Sequence, residues 1–402
     1  MTPGGGGRAA IAGIGTIGFG RFQSDSVASM IDRALRAALD DAGLDRRQID
    51  GLFVHVGSPR GLDYDEIALL LGLEVGYATQ TWAHGRFAAT VIASAAMALE
   101  HRLIDCALCV GAYRNSRFAR VGTSASQSFF EVLREAGGPH AETPAFGMAA
   151  PAAGAALSTR RYLERHGIDR ELLGAVAVAQ RRAAALNPLA ALREPFSAED
   201  YSGSRLVIEP LRLLDCSYPV DTAVAVLMTR AERARELAQP PVHVLAFQGI
   251  HAGPNEFIFG QPGLGINQAQ VFDYEPLGAA EPVYARAGVT PREVGTLHCY
   301  DGFSTQVLWT LERFGFCAPG EAAGWVQDGR IELGGELPVN TSGGHLSEGH
   351  SNGWGQTLEI VRQLRGQAGP RQIPGLSVAQ WATTLGDSVI YGDDAAAAEC
   401  PR

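Results

Sequence analysis

The sequence lacks the features that mark several large classes of proteins, and their absence excludes some functions for the chain. No stretch approaches the roughly 18 uncharged apolar residues of a membrane-spanning helix. The 402 residues include 33 Lys and Arg against 43 Asp and Glu, a formal net charge of -10, so the composition gives no broad cationic surface for nucleic acid or an anionic membrane. We therefore expect neither nucleic acid nor a membrane span, and a small molecule or another protein as the partner.

Cysteine is scarce as well. The chain has six cysteines, at positions 106, 109, 216, 299, 317 and 400. Only Cys106 and Cys109 are close in sequence, and no second pair accompanies them to form a zinc ribbon. Sparse cysteine suits a reducing compartment, and residues 1–8 lack the apolar core of a signal peptide. We therefore expect a cytoplasmic protein without disulfides and without a metal.

Glycine, in contrast, is concentrated in the stretch from Leu337 to Gln356. Five glycines follow Asn340 there, at positions 343, 344, 349, 353 and 355, and His345 and His350 lie among them. Glycine lets the backbone approach a ligand where a Cβ would clash. A helix-like run from Thr357 to Leu364 follows, so the stretch predicts a functional site between a strand and a helix.

Three short motifs offer other chemistries, and the sequence disfavours each. Residues 349–353 match the nucleophile elbow of serine hydrolases, but no strand directly precedes them and no histidine follows His350. His345 and His350 do not have the i, i+4 spacing of a helical zinc site. Residues 13–18 match a dinucleotide-binding fingerprint, but the next helix is predicted to start well after Gly18, near Asp25.

Strands and helices alternate along the chain, which predicts an α/β fold with largely parallel sheets. The predicted strands span residues 8–15, 51–55, 77–82, 106–111, 221–229, 242–249, 294–299, 381–385 and 388–391. Residues 87–99 carry no charge, so their helix is expected to be buried on all sides. The alternation repeats after Pro241, which divides the chain into halves at 1–238 and 239–402, with an insertion at about 112–215.

Several segments along the chain resemble the thiolase superfamily, and within it the sterol-carrier-protein type of thiolase and its lipid-transfer-protein-like relatives. The segments are residues 10–15, 38–44, 160–162, 184–188, 210–216, 300–303 and 340–353. The resemblance implies the thiolase fold, in which two pseudo-symmetric βαβαβαββ halves pack into five layers, with an inserted loop region over the active site. It also implies acyl-CoA substrates, a homodimer, and a smaller OB-fold partner subunit that completes a heterotetramer.

The sequence departs from thiolases at the nucleophile. Thiolases carry a reactive cysteine at the start of the buried helix of the first half, but residues 79–87 of this chain contain neither cysteine nor serine. A covalent acyl-enzyme mechanism lacks its reactive atom without such a group. His84 and Gly85 would line the vacated position and leave room for a bulky substrate.

The resemblance also places the other catalytic positions. His350 falls on the histidine of the thiolase Gly-His-Pro motif, and Tyr300 falls on a position that helps to form an oxyanion hole. We interpret His350 as a general base with an ordinary pKa of about 6.5 and Tyr300 as a hydrogen-bond donor to the substrate, although the two roles could be exchanged. Asp301 either orients His350 or caps a helix that starts at Gly302.

Further residues near these motifs are candidates for binding the substrate. They are His298, Asn340, Gly344 and His345. Packing at a strand end explains His298 as well, and bracing of the turn explains Asn340 and His345. Coenzyme A phosphates should meet arginines, but solvated helix faces explain the candidate arginines equally well. Those candidates are Arg160, Arg161, Arg181 and Arg182.

Acid/base groups without a nucleophile suit a reaction that forms no covalent enzyme intermediate. Cleavage of the Cα–Cβ bond of a β-hydroxyacyl thioester needs a base for the hydroxyl proton and donors for the developing enolate. The resemblance implies this retro-aldol chemistry on steroid side chains held as CoA thioesters, with no cofactor beyond the CoA of the substrate. Two alternatives stay open: a catalytically silent acyl-CoA- or lipid-binding scaffold, and a non-covalent acyltransferase or condensing enzyme.

Overall fold

The structure, a computed structural model, describes residues 9–22, 24–56, 62–82, 88–116, 151–250 and 281–401. The strands are β1 (Ala9–Thr16), β2 (Gly51–Val56), β3 (Tyr77–Trp82), β4 (Cys106–Arg114), β5 (Leu206–Ile208), β6 (Leu211–Arg212), β7 (Asp221–Arg230), β8 (Val242–Gln248), β9 (Thr296–Cys299), β10 (Val378–Ala382) and β11 (Ser388–Gly392). The α-helices are α1 (Val27–Ala42), α2 (Tyr64–Leu71), α3 (Ala88–Glu100), α4 (Pro151–His166), α5 (Gly174–Ala185), α6 (Ala198–Gly203), α7 (Ala231–Ala234), α8 (Pro282–Ala287), α9 (Ser304–Arg313), α10 (Ala322–Trp325), α11 (Gly344–Ser347), α12 (Trp354–Leu364) and α13 (Asp394–Glu399).

Nine strands form one sheet in the order β3-β2-β4-β7-β1-β8-β11-β10-β9. In the N-terminal half, β1 to β4 run in one direction and β7 runs against them. In the C-terminal half, β8, β9 and β10 run in one direction and β11 runs against them. The expectation of largely parallel strands is therefore confirmed within each half, with one reversed strand in each.

The two halves share one strand topology, although the sequence repeat between them is weak. Val339 forms a parallel bridge to Leu297 on the outer side of β9, the place that β3 takes beside β2 in the first half. The halves meet where β1 and β8 pair antiparallel, Ala10 opposite His243 and Ile11 opposite Val242. The predicted boundary at 239 falls between α7 and β8, and the division of the chain into two domains at this point stays a prediction.

The core forms around five layers. On the outer side of the first half, Leu35 of α1 packs in one cluster with Leu52 and Leu227 of the sheet. Helices α3 and α12 lie between the two half-sheets and share a cluster with strands of both halves. Helices α8 and α9 form the outer layer of the second half. Helix α3 is buried on most of its surface as predicted, although Met97 is 44% exposed.

The insertion leaves the first half but packs on the second. Its helices α4, α5 and α6 contribute Tyr162, Val176 and Tyr201 to the cluster that contains α9. All ten residues of α9 are buried as a result. Two consecutive helices, α4 and α5, make up most of the described part of this packing.

Two sequence features have packing explanations. A Cβ at Gly13 or Gly15 would overlap the backbone of α1, which identifies these glycines as the close contact between β1 and α1. Cys106 and Cys109 are buried in β4, and burial raises the pKa of the Cys106 thiol to about 12, so the structure gives them a packing role. Among the described residues, no helix is long and apolar enough to cross a membrane.

Candidate active site

Three chain segments meet at the end of β9. Residues 300–303 follow β9, residues 340–353 form the glycine-rich loop, and residues 216–219 lie between them. Ser217 N donates to Gly302 O at 3.0 Å, and Tyr218 N donates to His345 O at 2.9 Å. His350 N in turn donates to Tyr218 O at 2.8 Å. The segment before β7 therefore holds the two predicted catalytic loops in register.

The structure brings the two predicted catalytic side chains together. The hydroxyl of Tyr300 lies 2.9 Å from Nε2 of His350, and both residues are half-buried. The His345 ring completes a group of three edge-to-face rings, with centroids 4.8 Å from Tyr300 and 4.9 Å from His350. Burial lowers the pKa of His350 to about 4, so the expected ordinary value was wrong and the ring is neutral at physiological pH.

Asp301 has neither of the two roles weighed from the sequence. Its carboxylate accepts hydrogen bonds from His345 N at 2.9 Å and Leu346 N at 3.3 Å, so it caps the short helix α11 instead of a helix starting at Gly302. Gln356 Nε2 donates to it at 2.9 Å. Its ring neighbour is His345, with Nδ1 at 3.2 Å, and not His350. Burial raises the pKa of Asp301 to about 8.

Four predicted substrate-binding residues are buried beneath this pair. Asn340 accepts from Cys299 N at 2.8 Å and donates to Cys299 O at 3.1 Å. His345 accepts from Gly353 N through Nε2 at 3.0 Å. Gly344 is in the left-handed region, at φ 56°, and a Cβ there would overlap Asp301. His298 is fully buried. Asn340, Gly344 and His345 therefore brace the turn, and contact of the four residues with a substrate stays a prediction.

The four candidate arginines, including Arg161, have partners within the protein, and two further candidates lie outside the described residues. Arg160 pairs with Glu164 at 2.8 Å, and Arg182 pairs with Glu332 at 2.6 Å. Arg181 is buried, and its Nε donates to Ser347 Oγ at 2.9 Å. The predicted positions His84 and Gly85 lie outside the described residues.

Asn115 is a site residue that the sequence analysis missed. Its amide nitrogen lies 3.3 Å from the carbonyl oxygen of His350 and 3.5 Å from Nδ1 of the same ring. Asn115 follows β4 on the face of Tyr113, whose hydroxyl accepts from Trp354 Nε1 at 2.9 Å. A strand predicted to continue past Gly111 would have placed both residues on one face of β4, but it would not have brought Asn115 to His350.

Glu348 is a second missed residue, buried inside the glycine-rich loop. Asn187 Nδ2 donates to its Oε1 at 3.0 Å, and Ser342 Oγ donates to its Oε2 at 2.8 Å. Burial raises the pKa of this carboxyl to about 7. Because Asn187 follows α5, the contact ties the catalytic loop to the insertion. Within the described ranges, no group of three or more His, Cys, Asp or Glu side chains is placed to hold a metal ion.

Comparison with known proteins gives consistent matches along the chain. Residues 274–390 match the family described as thiolase C-terminal domain-like. The 17-hydroxy-3-oxo-4-pregnene-20-carboxyl-CoA lyase of Mycobacterium tuberculosis is 35% identical over 377 residues, 90% of this chain and 92% of the relative. The steroid side-chain-cleaving aldolase of Thermomonospora curvata is 33% identical over 90% of this chain and 91% of its own.

A solved structure gives the same match in three dimensions. The structure described as the Ltp2-ChsH2(DUF35) aldolase superposes with a TM-score of 0.84 at 31% identity, and the match covers 96% of this chain and 98% of that chain. The matched length includes both halves and the insertion. The match therefore includes the segments that carry Tyr300 and His350, and also residues 79–87, which contain no cysteine or serine.

Proposed function

Because the chain belongs to the thiolase superfamily, in the branch of the steroid side-chain-cleaving aldolases, we propose that it is a carbon–carbon lyase acting on a β-hydroxyacyl-CoA. The reaction is a retro-aldol cleavage without a covalent enzyme intermediate. The observation that carries the proposal is the match of 35% identity along 90% of the chain to a lyase of a steroid CoA thioester. The Tyr300–His350 pair supplies acid/base groups for this reaction, and residues 79–87 supply no cysteine or serine for a covalent one.

The reaction needs one proton acceptor and one site for developing negative charge. The proton leaves the β-hydroxyl, the Cα–Cβ bond breaks, and its electron pair moves into the thioester enolate. The hydroxyl carbon becomes a ketone or an aldehyde, and a proton added to Cα completes the shortened acyl-CoA. Tyr300 and His350 act as the acid/base pair in these steps, since they are the half-buried polar groups joined by the 2.9 Å contact.

We propose a steroid side-chain thioester as the substrate class. The relative from M. tuberculosis is named for a substrate with a hydroxyl at position 17 and a CoA-linked carboxyl on carbon 20. That hydroxyl is β to the thioester carbonyl, which is the arrangement a retro-aldol cleavage requires. Atom balance then gives a 17-ketone and propionyl-CoA.

We also propose a homodimer joined to a smaller OB-fold subunit in a heterotetramer. The solved relative is named as an aldolase with two components, Ltp2 and ChsH2(DUF35), which supports a second subunit. For self-association, β3 lies at one end of the described sheet, and its Tyr77 and the nearby Leu69 and Leu70 are 38%, 80% and 56% exposed. An uncharged edge strand next to exposed apolar residues favours pairing with a second copy.

Mass spectrometry of the products tests the lyase. The full chain, alone and with the smaller subunit, is incubated with 17-hydroxy-3-oxo-4-pregnene-20-carboxyl-CoA. We expect a 17-ketone and propionyl-CoA, and a loss of rate of about 100- to 10,000-fold in His350→Ala and Tyr300→Phe.

Matched controls are His101→Ala and Tyr64→Phe, which remove the same groups from exposed positions. Both should cleave at the wild-type rate. Tight binding of the thioester without cleavage in every combination would overturn the lyase and favour the acyl-CoA-binding scaffold. Transfer of an acyl group between two thioesters would favour the acyltransferase.

A further inference from the structure

His350 has a neighbour at each ring nitrogen. Nε2 faces the hydroxyl of Tyr300 at 2.9 Å, and Nδ1 faces the side-chain amide of Asn115 at 3.5 Å. A neutral imidazole carries one hydrogen, so one nitrogen donates and the other accepts. A neighbour that can only donate, or only accept, at its ring nitrogen therefore decides which of the two nitrogens carries the hydrogen.

The orientation of the Asn115 amide is set by the His350 backbone. The carbonyl oxygen of His350 lies 3.3 Å from the amide nitrogen of Asn115. A carbonyl only accepts, so the NH₂ group of Asn115 must face it. The same NH₂ group then faces Nδ1 of His350, which becomes the acceptor, and the ring hydrogen resides on Nε2.

The backbone on both sides holds Asn115 and His350 in this relation. Asn115 N donates to Val220 O at 3.1 Å, and His350 N donates to Tyr218 O at 2.8 Å. The two residues thus flank the same three-residue segment. Ser116 N donates to Asp221 Oδ1 at 3.1 Å, which fixes the chain directly after Asn115.

We propose that Asn115 is a positioning residue that keeps the ring hydrogen of His350 on Nε2, so that Tyr300 is the member of the pair that exchanges a proton with the substrate. This inference rests on the proposed lyase function. Nε2–H donates to the Tyr300 oxygen and stabilises its phenolate form. The phenolate takes the β-hydroxyl proton as the Cα–Cβ bond breaks, and the phenol returns a proton to Cα of the enolate. The hydrogen on Nε2 stays in place throughout.

This assignment predicts how the rate depends on pH. Among the residues that the structure describes, the titratable groups around the pair are His345 beside both rings, Asp301 behind His345, Tyr113 on β4, and Tyr218 and Asp221 on the segment leading into β7. With a phenolate base, kcat/KM rises with pH, because ordinary tyrosine titrates near pH 10, well above neutrality. With His350 as the base, kcat/KM is level across the neutral range.

Two variants of Asn115 separate these cases. A carboxylate in Asn115→Asp only accepts, so it draws the hydrogen to Nδ1 and leaves Nε2 as an acceptor. Leucine in Asn115→Leu has a similar size and neither donates nor accepts. The ring nitrogens are observed directly by NMR on the full chain with ¹⁵N-labelled histidine, and the His350→Gln spectrum identifies the His350 signals among the ten histidines.

We expect an unprotonated Nδ1 in the wild type, an unprotonated Nε2 in Asn115→Asp, and a mixture in Asn115→Leu. For cleavage, we expect kcat to fall about 10- to 100-fold in Asn115→Leu, with KM changed far less. The alkaline rise of kcat/KM should disappear in Asn115→Asp. A comparable thermal midpoint for both variants shows that the fold is kept.

A hydrogen on Nδ1 in the wild type would overturn the role of Asn115, and so would an unchanged pH profile in both variants. If the wild type cleaves no thioester, the proposed lyase fails instead, and the nitrogen spectrum still reports independently on Asn115.

Discussion

The outer helices α1 and α9 occupy equivalent layers of the two halves but meet different surroundings. Helix α1 buries one face, including Met30 and Leu35, and shows Arg33 and Arg36 to solvent. Helix α9 has no exposed face, since all ten of its residues are buried. Its polar side chains instead meet the insertion: Thr305 contacts Thr159 at 2.9 Å, and Glu312 accepts from Tyr162.

The difference shows that the insertion covers and anchors the outer helix of the half that carries Tyr300 and His350. Helix α9 begins at Ser304, three residues after Asp301, so an anchored first turn limits the motion of the catalytic loop. Asp215 of the insertion accepts from the hydroxyls of Tyr201 and Ser304 at this point. The first half lacks such a cover in the described residues and keeps a plain amphipathic helix. The following substitutions test that contrast, from the largest expected effect to the smallest.

Arg365→Ala removes one of the buried contacts between the halves. The guanidinium pairs with Asp41 at 2.8 Å and donates to Ala12 O and Pro240 O, each at 2.9 Å. The substitution leaves two backbone carbonyls and the partly exposed Asp41 carboxylate without this donor, which costs about 3–5 kcal/mol in total. We expect that loss in the free energy of unfolding by urea titration.

The matched control for this contact is Arg36→Ala, which should change the unfolding free energy by at most about 1 kcal/mol because its ion pair with Asp32 is exposed. A single transition in both proteins indicates that the halves unfold together. Two transitions in Arg365→Ala, with one at the wild-type midpoint, would show instead that the halves fold independently.

Asp215→Ala tests the anchor of α9. The carboxyl accepts from Tyr201 and from Arg212 N at 2.9 and 2.8 Å, and its loss leaves these donors buried and unpaired. We expect about 2–4 kcal/mol of destabilisation. Asp32→Ala on α1 is the comparison, and it should cost at most about 1 kcal/mol because its ion pairs are partly exposed. Equal losses would remove the distinction between the two helices.

Thr305→Val tests a single polar contact beneath the insertion. The substitution keeps the shape of the side chain but leaves the Thr159 hydroxyl buried without this partner. We expect about 1–3 kcal/mol of destabilisation in thermal or urea unfolding. Ser29→Ala on the exposed side of α1 should stay within about 0.5 kcal/mol.

Glu348→Gln tests how the free energy of unfolding depends on pH through a buried carboxyl of the second half. Burial raises the pKa of Glu348 to about 7 from an ordinary 4.5. The folded state therefore binds more protons than the unfolded state between these values, and stability falls as pH rises through this window. We expect the variant to flatten the slope between pH 5 and 7 by up to about 1 kcal/mol per pH unit, measured by urea unfolding at several pH values. A slope unchanged by the substitution would contradict this assignment.

The order of strands and helices was readable from the sequence, while several strand ends were not. Strand β3 has its predicted bounds, but β4 continues past Gly111 to Arg114 because it stays paired with β7 there. Strand β10 ends at Ala382, before the predicted Leu385, because Thr383 N turns back to Asp387 O at 3.0 Å. Local patterns do not contain such tertiary pairing.

The site was predictable only in part. The proximity of Tyr300 and His350 followed from resemblance and not from spacing, and the structure gives the 2.9 Å contact. The sequence did not reveal how deeply the candidate residues are buried. In the structure Asn340, His345 and His298 have no exposed surface. Asn115 lies 235 positions from His350 in sequence, and no local signal links residues so far apart.

The place of β1 in the sheet has a consequence for synthesis. The first strand that the structure describes has as neighbours β7 and β8, with Ala9 opposite Arg230 and Ala10 opposite His243. At about 5–20 residues per second, the ribosome reaches Arg230 roughly 10–45 s after Ala9. Until then the apolar side chains of β1 have no sheet to join, so we expect nascent chains to bind chaperones there, and fragments that stop before β7 to aggregate.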